Sequence, residues 1–345
     1  MKRKLPVTVP PPFRSVFFYA LPSACISADP SQTDWFHMNY LDFYGYKNTV
    51  NADKYEFRFA DSVSYVDRGL HSNTAVAIDR YDLSRFSCKD IIEFITDSID
   101  TYNYVILYLD ESRLFNSPFS EGFHEYLVHG YDSEQRILYL LGMNSNEDYS
   151  EIIYSYDIIT DAYESMCSSG EHGRILYRLC VTNRYSSLAG GESRYFSHLI
   201  TRKFDEEVFV NKIRTYLSGK ISHGEVTILN STINPTSACG IQTYDLFEQY
   251  LNEIKNGSGN YEYNVPFFFE DHKQALYARL VFAYKKTSRS VYLKTAENFH
   301  ETVMASQAIK NLHLIGINSN SRNTERIISL VQKTRAAEAL ILKDI

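Results

Sequence analysis

Between residues 104 and 141 the apolar positions fall into three short runs, 104–109 (YVILYL), 123–131 (FHEYLVHGY) and 137–141 (ILYLL). A stretch rich in Ser, Asn and Pro separates the first two, and Asp132-Ser133 separates the second from the third. Strand-length runs divided by turn residues rather than by helical periods predict three consecutive strands in an antiparallel sheet. Residues 152–156 predict a fourth strand, followed by a short helix from Asp157, and 174–181 predict another strand. Upstream, Asp29-Pro30 reads as an N-cap with proline at the first helical position, opening a helix through Trp35, Met38 and Leu41 that Gly45 ends. The alternations Tyr55, Phe57, Phe59 and Val63, Tyr65 place strands and loops in 48–80. Ser87 is read as the cap of a helix over 89–99, where Ile91, Ile92, Phe94, Ile95 and Ile99 recur at helical spacing.

Past a Tyr-, Ser- and Gly-rich stretch at 183–203 the period changes. Helices are predicted over 205–217, 240–254, 270–286, 291–315 and 324–342, with 256–260 (NGSGN) as a loop. The pattern therefore gives an α+β domain, residues 1–185, and a helical domain, residues 200–345, a division that suits a chain of 345 residues.

Charge narrows the function. The chain carries 35 basic and 42 acidic side chains, a net −7, which disfavours a nucleic-acid binder tracking phosphates. Residues 270–345 hold 12 basic and 7 acidic side chains, a local +5 that leaves −12 for the rest, so an acidic partner would be drawn to the C-terminal part. No window holds 18 uninterrupted apolar residues, so no membrane span is expected. Lys2, Arg3 and Lys4, the apolar run 16–21 and Cys25 echo a lipoprotein signal, but the run is short, prolines and Arg14 interrupt its approach, and Pro22 stands where an aliphatic residue is usual. Five scattered cysteines, Cys25, Cys88, Cys167, Cys180 and Cys239, form no C-x-x-C pair, so reduced thiols in a cytoplasmic setting are expected, with no metal site.

Signatures of nucleotide hydrolysis, dinucleotide binding, zinc proteolysis and the α/β-hydrolase elbow are missing from the sequence. What stands out is a cysteine early in the chain and a histidine at the head of a central strand. Strand alternation puts His124, Tyr126, Val128 and Gly130 on one face of 123–131 and Glu125, Leu127, His129 and Tyr131 on the other, so His124 and His129 cannot share a site.

The segment His124 to Gly130-Tyr131-Asp132 resembles the histidine strand of papain-like cysteine peptidases. With Cys25 ahead of Trp35-Phe36-His37-Met38-Asn39-Tyr40, Gly240-Ile241-Gln242-Thr243-Tyr244-Asp245 with Tyr250-Leu251, and Glu270-Asp271-His272-Lys273 followed by Arg279-Leu280, the chain resembles the family named after the N-terminal domain of butirosin biosynthesis protein H. It is similar, too, to the amide-forming cysteine-peptidase homologue of closthioamide biosynthesis. The resemblance implies a papain-like N-terminal domain and a carrier-protein-dependent acyltransferase in peptide-like antibiotic biosynthesis. Cys25 would attack a thioester on a carrier's phosphopantetheine, His124 would activate the thiol and relay the proton, and an amine or aminoacyl acceptor would take the acyl group from acyl-S-Cys. No cofactor of the protein's own is implied.

Several residues depart from the peptidase pattern. Leu140 to Gly142 offer no orienting carboxylate or carboxamide, which leaves Asn144 as the nearest third member, and Tyr19 stands where an oxyanion glutamine would sit. The helix expected from Asp29 begins after Cys25 rather than on it. Cys239, ahead of a helix near Gly240, is the rival nucleophile, since a helix N-terminus lowers a thiol's pKa. His129, His37 and His272 are expected to be structural, and Lys285, Lys286 and Arg289 to dock an acidic carrier. The alternatives are a cysteine hydrolase, either thioesterase or peptidase, using the same dyad, and a non-catalytic binding or self-resistance protein on the same scaffold.

Overall fold

The structure, a computed structural model, describes residues 1–48, 54–59, 75–82, 91–115, 122–144, 148–169, 175–181, 203–220, 237–259, 261–319 and 323–345. The strands are β1 (Lys2–Lys4), β2 (Phe43–Asn48), β3 (Lys54–Phe59), β4 (Val76–Asp82), β5 (Tyr104–Asp110), β6 (Phe123–Asp132), β7 (Ile137–Met143), β8 (Tyr149–Ser155), β9 (Ile175–Val181) and β10 (Ala238–Cys239). The helices are α1 (Phe17–Ser27), α2 (Thr33–Met38), α3 (Ile91–Asp100), α4 (Glu111–Leu114), α5 (Tyr156–Ser169), α6 (Glu206–Leu217), α7 (Thr243–Lys255), α8 (Val265–Thr287), α9 (Ser290–Ser319) and α10 (Thr324–Leu342). The fold is mixed α and β, with an antiparallel sheet and a helical C-terminal part, as the pattern predicts. Among the described residues no helix is long and apolar enough to cross a membrane.

The chain forms two compact units, one of Met1–Thr33 with Val63–Ile200, the other of Asp34–Ser62 with Thr201–Ile345. Nearly all of the predicted boundary at 183–203 lies outside the described residues, and 34–62 groups with the C-terminal unit. Periodicity reports which face of an element is buried, not which distant element buries it.

In the first unit the antiparallel sheet runs β4-β9-β5-β6-β7-β8, and β1 pairs with the far end of β6, Lys4 opposite Gly130. The predicted turn at Asp132 is present, and Asp132 Oδ1 accepts from the amides of Glu134 and Gln135. A bulge lies between Val128 and Gly130 where β6 meets β7. Helix α1 packs against β6 and β9, and α3 and α5 against β5.

Helix α1 is the element the sequence reading lacks. Tyr19 to Ile26 are all buried, so the helix is apolar all round and carries no amphipathic period to reveal it. Pro22 inside it, ordinarily a breaker, gives up one ladder bond in exchange for burial. The Asp29-Pro30 signal is locally correct: Asp29 Oδ1 accepts from the Ser31 amide at 2.9 Å, but it caps a 3-10 turn at Pro30–Gln32 before the short α2. Gly45 then lies in β2 rather than at a helix end.

In the second unit the small sheet β10-β2-β3 lies with α7 and α8 around an aromatic core. Phe43, Phe57, Phe247 and Phe269 meet there, and the His272 ring stacks 4.8 Å from Phe43. Buried Arg279 of α8 closes the end of α2, donating to Phe36 O at 2.9 Å and Asn39 O at 2.6 Å.

Candidate functional site

His124 sits near the start of β6, opposite Leu109 of β5, with its side chain 44% exposed. Where β5 ends, Asp110 caps α4 by accepting from the Ser112 amide at 2.9 Å, and Ser165 Oγ donates to its other oxygen at 2.5 Å. Burial works to raise the Asp110 pKa, but the hydrogen bonds from Ser112 and Ser165 outweigh it and hold the carboxyl below its ordinary range. The cap fixes Glu111 as the next residue, and its amide bonds to Gly122 O. Glu111 Oε2 lies 3.7 Å from His124 Nε2, an ion-pair distance, and Oε1 accepts from Tyr126 Oη at 2.9 Å. Burial first, and the Glu111 charge second, push the Tyr126 pKa far upward, so the phenol stays a donor. Phe17, the first residue of α1, lies on the His124 ring with 5.3 Å between centroids, and Tyr149 of β8 meets Phe17 edge-on at 5.6 Å.

Cys25 is placed differently from the role the resemblance implies. It is the ninth residue of α1, 0% exposed, and its thiol donates to Leu21 O at 3.4 Å. Burial raises its pKa well above the ordinary thiol value, and the carbonyl-rich C-terminal end of a helix opposes a thiolate. Phe17 touches His124, and Cys25 follows it by eight residues, about 12 Å along the helix axis at ~1.5 Å per residue. The structure does not bring Cys25 and His124 together, and among the described residues they share no hydrogen bond. The sequence error is one of helix placement: with α1 unrecognised, Cys25 reads as the residue before a helix instead of a residue within one.

Asn144 follows Met143, whose carbonyl accepts from Tyr126 at 3.3 Å, so it stands at the same end of the sheet as His124. Its side chain closes the β7–β8 connection, donating to Ser150 Oγ at 3.2 Å and accepting from the Asp148 amide at 3.1 Å. The residue that meets His124 is Glu111, just past the strand before the histidine, whereas the peptidase pattern places an orienting residue on the strand after it. The signal was there: pairing 104–109 with 123–131 as a hairpin sets the end of β5, and hence Asp110-Glu111, beside Phe123-His124.

The other expected residues are structural in the fold. His129 is buried, its Nδ1 donates to Leu5 O at 3.2 Å, and Nε2 lies 3.3 Å from Glu151 without hydrogen-bond geometry. His37 stacks on Phe282 at 4.2 Å, and His272 bridges Leu41 O and Lys273. Tyr19 is buried in α1. Cys239 precedes a 3-10 turn rather than an α-helix, and its pKa is raised, by burial and then by Asp42, instead of lowered. Gly240 beside it has φ +55°, and a Cβ there would lie 2.1 Å from Tyr216 O, so only glycine fits this crossing. Of the cations expected to dock a carrier, Lys286 pairs with Asp34 at 2.7 Å and Arg289 with Glu206 at 2.5 Å, which reduces the charge on offer. Comparison with protein-family models and with curated proteins finds no match for this chain.

Proposed function

We propose that the N-terminal unit is a papain-like scaffold that binds its ligand without a cysteine nucleophile, in the peptide-like antibiotic setting to which the motif resemblance points. One observation carries this reading: the helix-start side chain on the His124 ring is Phe17, while Cys25 is sealed in the core. A thiol that is fully buried and held protonated is a small hydrophobe rather than a reagent. The site around His124 keeps what recognition needs, an imidazole, a carboxylate and two aromatic rings, half open to solvent.

A second reading is favoured by the Glu111–His124 distance. An imidazole held beside a carboxylate has the make-up of a general base. An acceptor amine deprotonated there could attack a carrier-bound thioester directly, forming the C–N bond as the C–S bond breaks and the thiol departs with the proton. This is amide-forming acyl transfer without acyl-S-Cys.

Intact-protein mass spectrometry and product analysis separate the two. The protein is incubated with acyl-loaded carrier protein or an acyl thioester mimic, with and without an amine, and compared with Cys25→Ala and His124→Ala. Unchanged protein mass and intact thioester across the panel are expected. A Cys25-dependent acyl adduct would overturn the proposal and restore the covalent route. Amide formation lost in His124→Ala but kept in Cys25→Ala would favour the second reading.

A further inference from the structure

We propose that the His124 site recognises an organic ammonium group, a protonated primary amine on an apolar or aromatic body, through Glu111 and the Phe17–Tyr149 rings. The inference rests on the binding reading above and names its ligand class. Glu111 is only 15% exposed, and a carboxylate so far removed from water needs a cationic partner or several donors. Its surroundings supply the phenol of Tyr126 at 2.9 Å, the imidazole of His124 at 3.7 Å and, near enough to feel the Glu111 charge, the phenol of Tyr154. Among the described residues no Lys or Arg forms an ion pair with it. The neighbouring elements do not repair the deficit. Asp110, just before Glu111, is taken up by hydrogen bonds from Ser112 and Ser165 and by the nearby Arg113 charge, and Arg113 of α4 itself pairs with Asp161 of α5 at 3.8 Å. From β8 the site receives Tyr149 and Tyr154, and from α1 Phe17, all aromatic and neutral.

The shortfall has a definite chemistry. A shielded carboxylate with one weak base leaves local negative charge, and beside the imidazole stand the rings of Phe17 and Tyr149, of the kind that attracts cations through the ring quadrupole. An ammonium placed there donates to Glu111 in a charge-assisted hydrogen bond while its organic body lies along Phe17 and Tyr149. An anion of the same shape meets Glu111 and is repelled. A neutral alcohol gains the aromatic contact alone.

The test uses the full chain labelled with ring-13C histidine, titrated with phenethylamine, 3-phenylpropanol and 3-phenylpropionate at pH 7, with the His124 resonance identified by its loss in His124→Gln. Phenethylammonium is expected to shift that resonance saturably, the alcohol more weakly and the carboxylate least. Glu111→Gln keeps the shape and the Tyr126 hydrogen bond but is expected to weaken phenethylammonium binding by at least about tenfold, the scale of a charged hydrogen bond. Equal or stronger response to 3-phenylpropionate, no response to the amine up to millimolar concentration, or unchanged affinity in well-folded Glu111→Gln would each overturn the proposal. Its failure is separable from that of the binding reading: amide product from amine and thioester would sink the binding-only function and leave ammonium recognition standing, whereas an inert protein that prefers the carboxylate would do the reverse.

Discussion

Phe17 covers the imidazole of His124 with ring centroids 5.3 Å apart and an angle of 33° between the rings, so the helix-start side chain that reaches this base carries no nucleophile. The position is half-buried rather than core, which lets a smaller residue stand there. Phe17→Cys should place a thiol at the positive end of α1 beside the imidazole, where a thiolate is favoured. Alkylation of this thiol by iodoacetamide at pH 7 is expected to outrun that of buried Cys25, and adding His124→Ala should slow it by roughly tenfold, the low end of what a positioned acid–base group contributes. Equal rates with and without His124 would show that the two side chains do not communicate.

Lys273 and Glu338 form an ion pair at 2.8 Å with both side chains at 0% exposure. Tyr216 accepts from Lys273 at 2.9 Å and Tyr244 donates to Glu338 at 2.6 Å, so the network is largely satisfied. Burial pulls the Lys273 pKa down while Glu338 pulls it back up, with a net lowering. Glu338→Gln leaves an uncompensated buried ammonium and should cost about 3–5 kcal/mol in denaturant unfolding. The double change Lys273→Met with Glu338→Leu should recover most of that loss, because an apolar pair of similar volume needs no desolvation. A double mutant no better than Glu338→Gln would mean that the network contributes more than charge balance.

Arg279 of α8 donates to three carbonyls, Asn39 O, Phe36 O and, in its own helix, Ala275 O. Two of these lie at the C-terminal end of α2, where the ladder offers no donors. A lysine has the charge but not the planar fork, so Arg279→Lys should strand at least one buried carbonyl and destabilise by about 2–4 kcal/mol. Denaturant midpoints measure this, and a loss below about 1 kcal/mol would mean that the fork is dispensable.

The residues that made the chain resemble a known family fall into two physical groups. His272, Lys273 and Arg279 are buried polar groups of the helical unit, so their sequence pattern marks a core that must satisfy its hydrogen bonds. His124 alone among the site residues was legible from pattern, because a histidine at a strand head with a turn after it has a fixed face. The strands β5 to β7 were legible as well, since each is a strand-length, largely apolar run set off by turn residues and buried on both faces. Helix α1 was hidden by the absence of a polar face and by Pro22. Glu111 was hidden because its meeting with His124 depends on strand register, and the attachment of 34–62 to the helical unit depends on pairing across some two hundred residues, which no local period encodes.

Buried histidines set the acid limit of the fold. Burial lowers the pKa of His129 and His313 to about 4 and that of His37 to about 3, from an ordinary value of 6.5. Arg279 and Lys285 depress His37 further while Asp34 opposes them, and at His129 the bond to Leu5 O and the Glu151 charge oppose burial. The unfolded chain takes up these protons near pH 6.5 and the folded chain does not until pH 4 or below, so across that window the unfolded state binds more protons and stability rises with pH. The stabilisation is complete above about pH 6.5 and is lost progressively as pH falls toward 4, by roughly 1–3 kcal/mol for each histidine. Carboxylates held below their ordinary range, Asp34, Asp110 and Glu253, extend the loss to lower pH. Chemical unfolding at pH 7.5 and pH 5.0 should show the drop, and His129→Gln, which keeps a donor for Leu5 O but cannot titrate, should shrink it. Equal stability of the wild type at the two pH values would mean that these rings already carry their protons in the folded state.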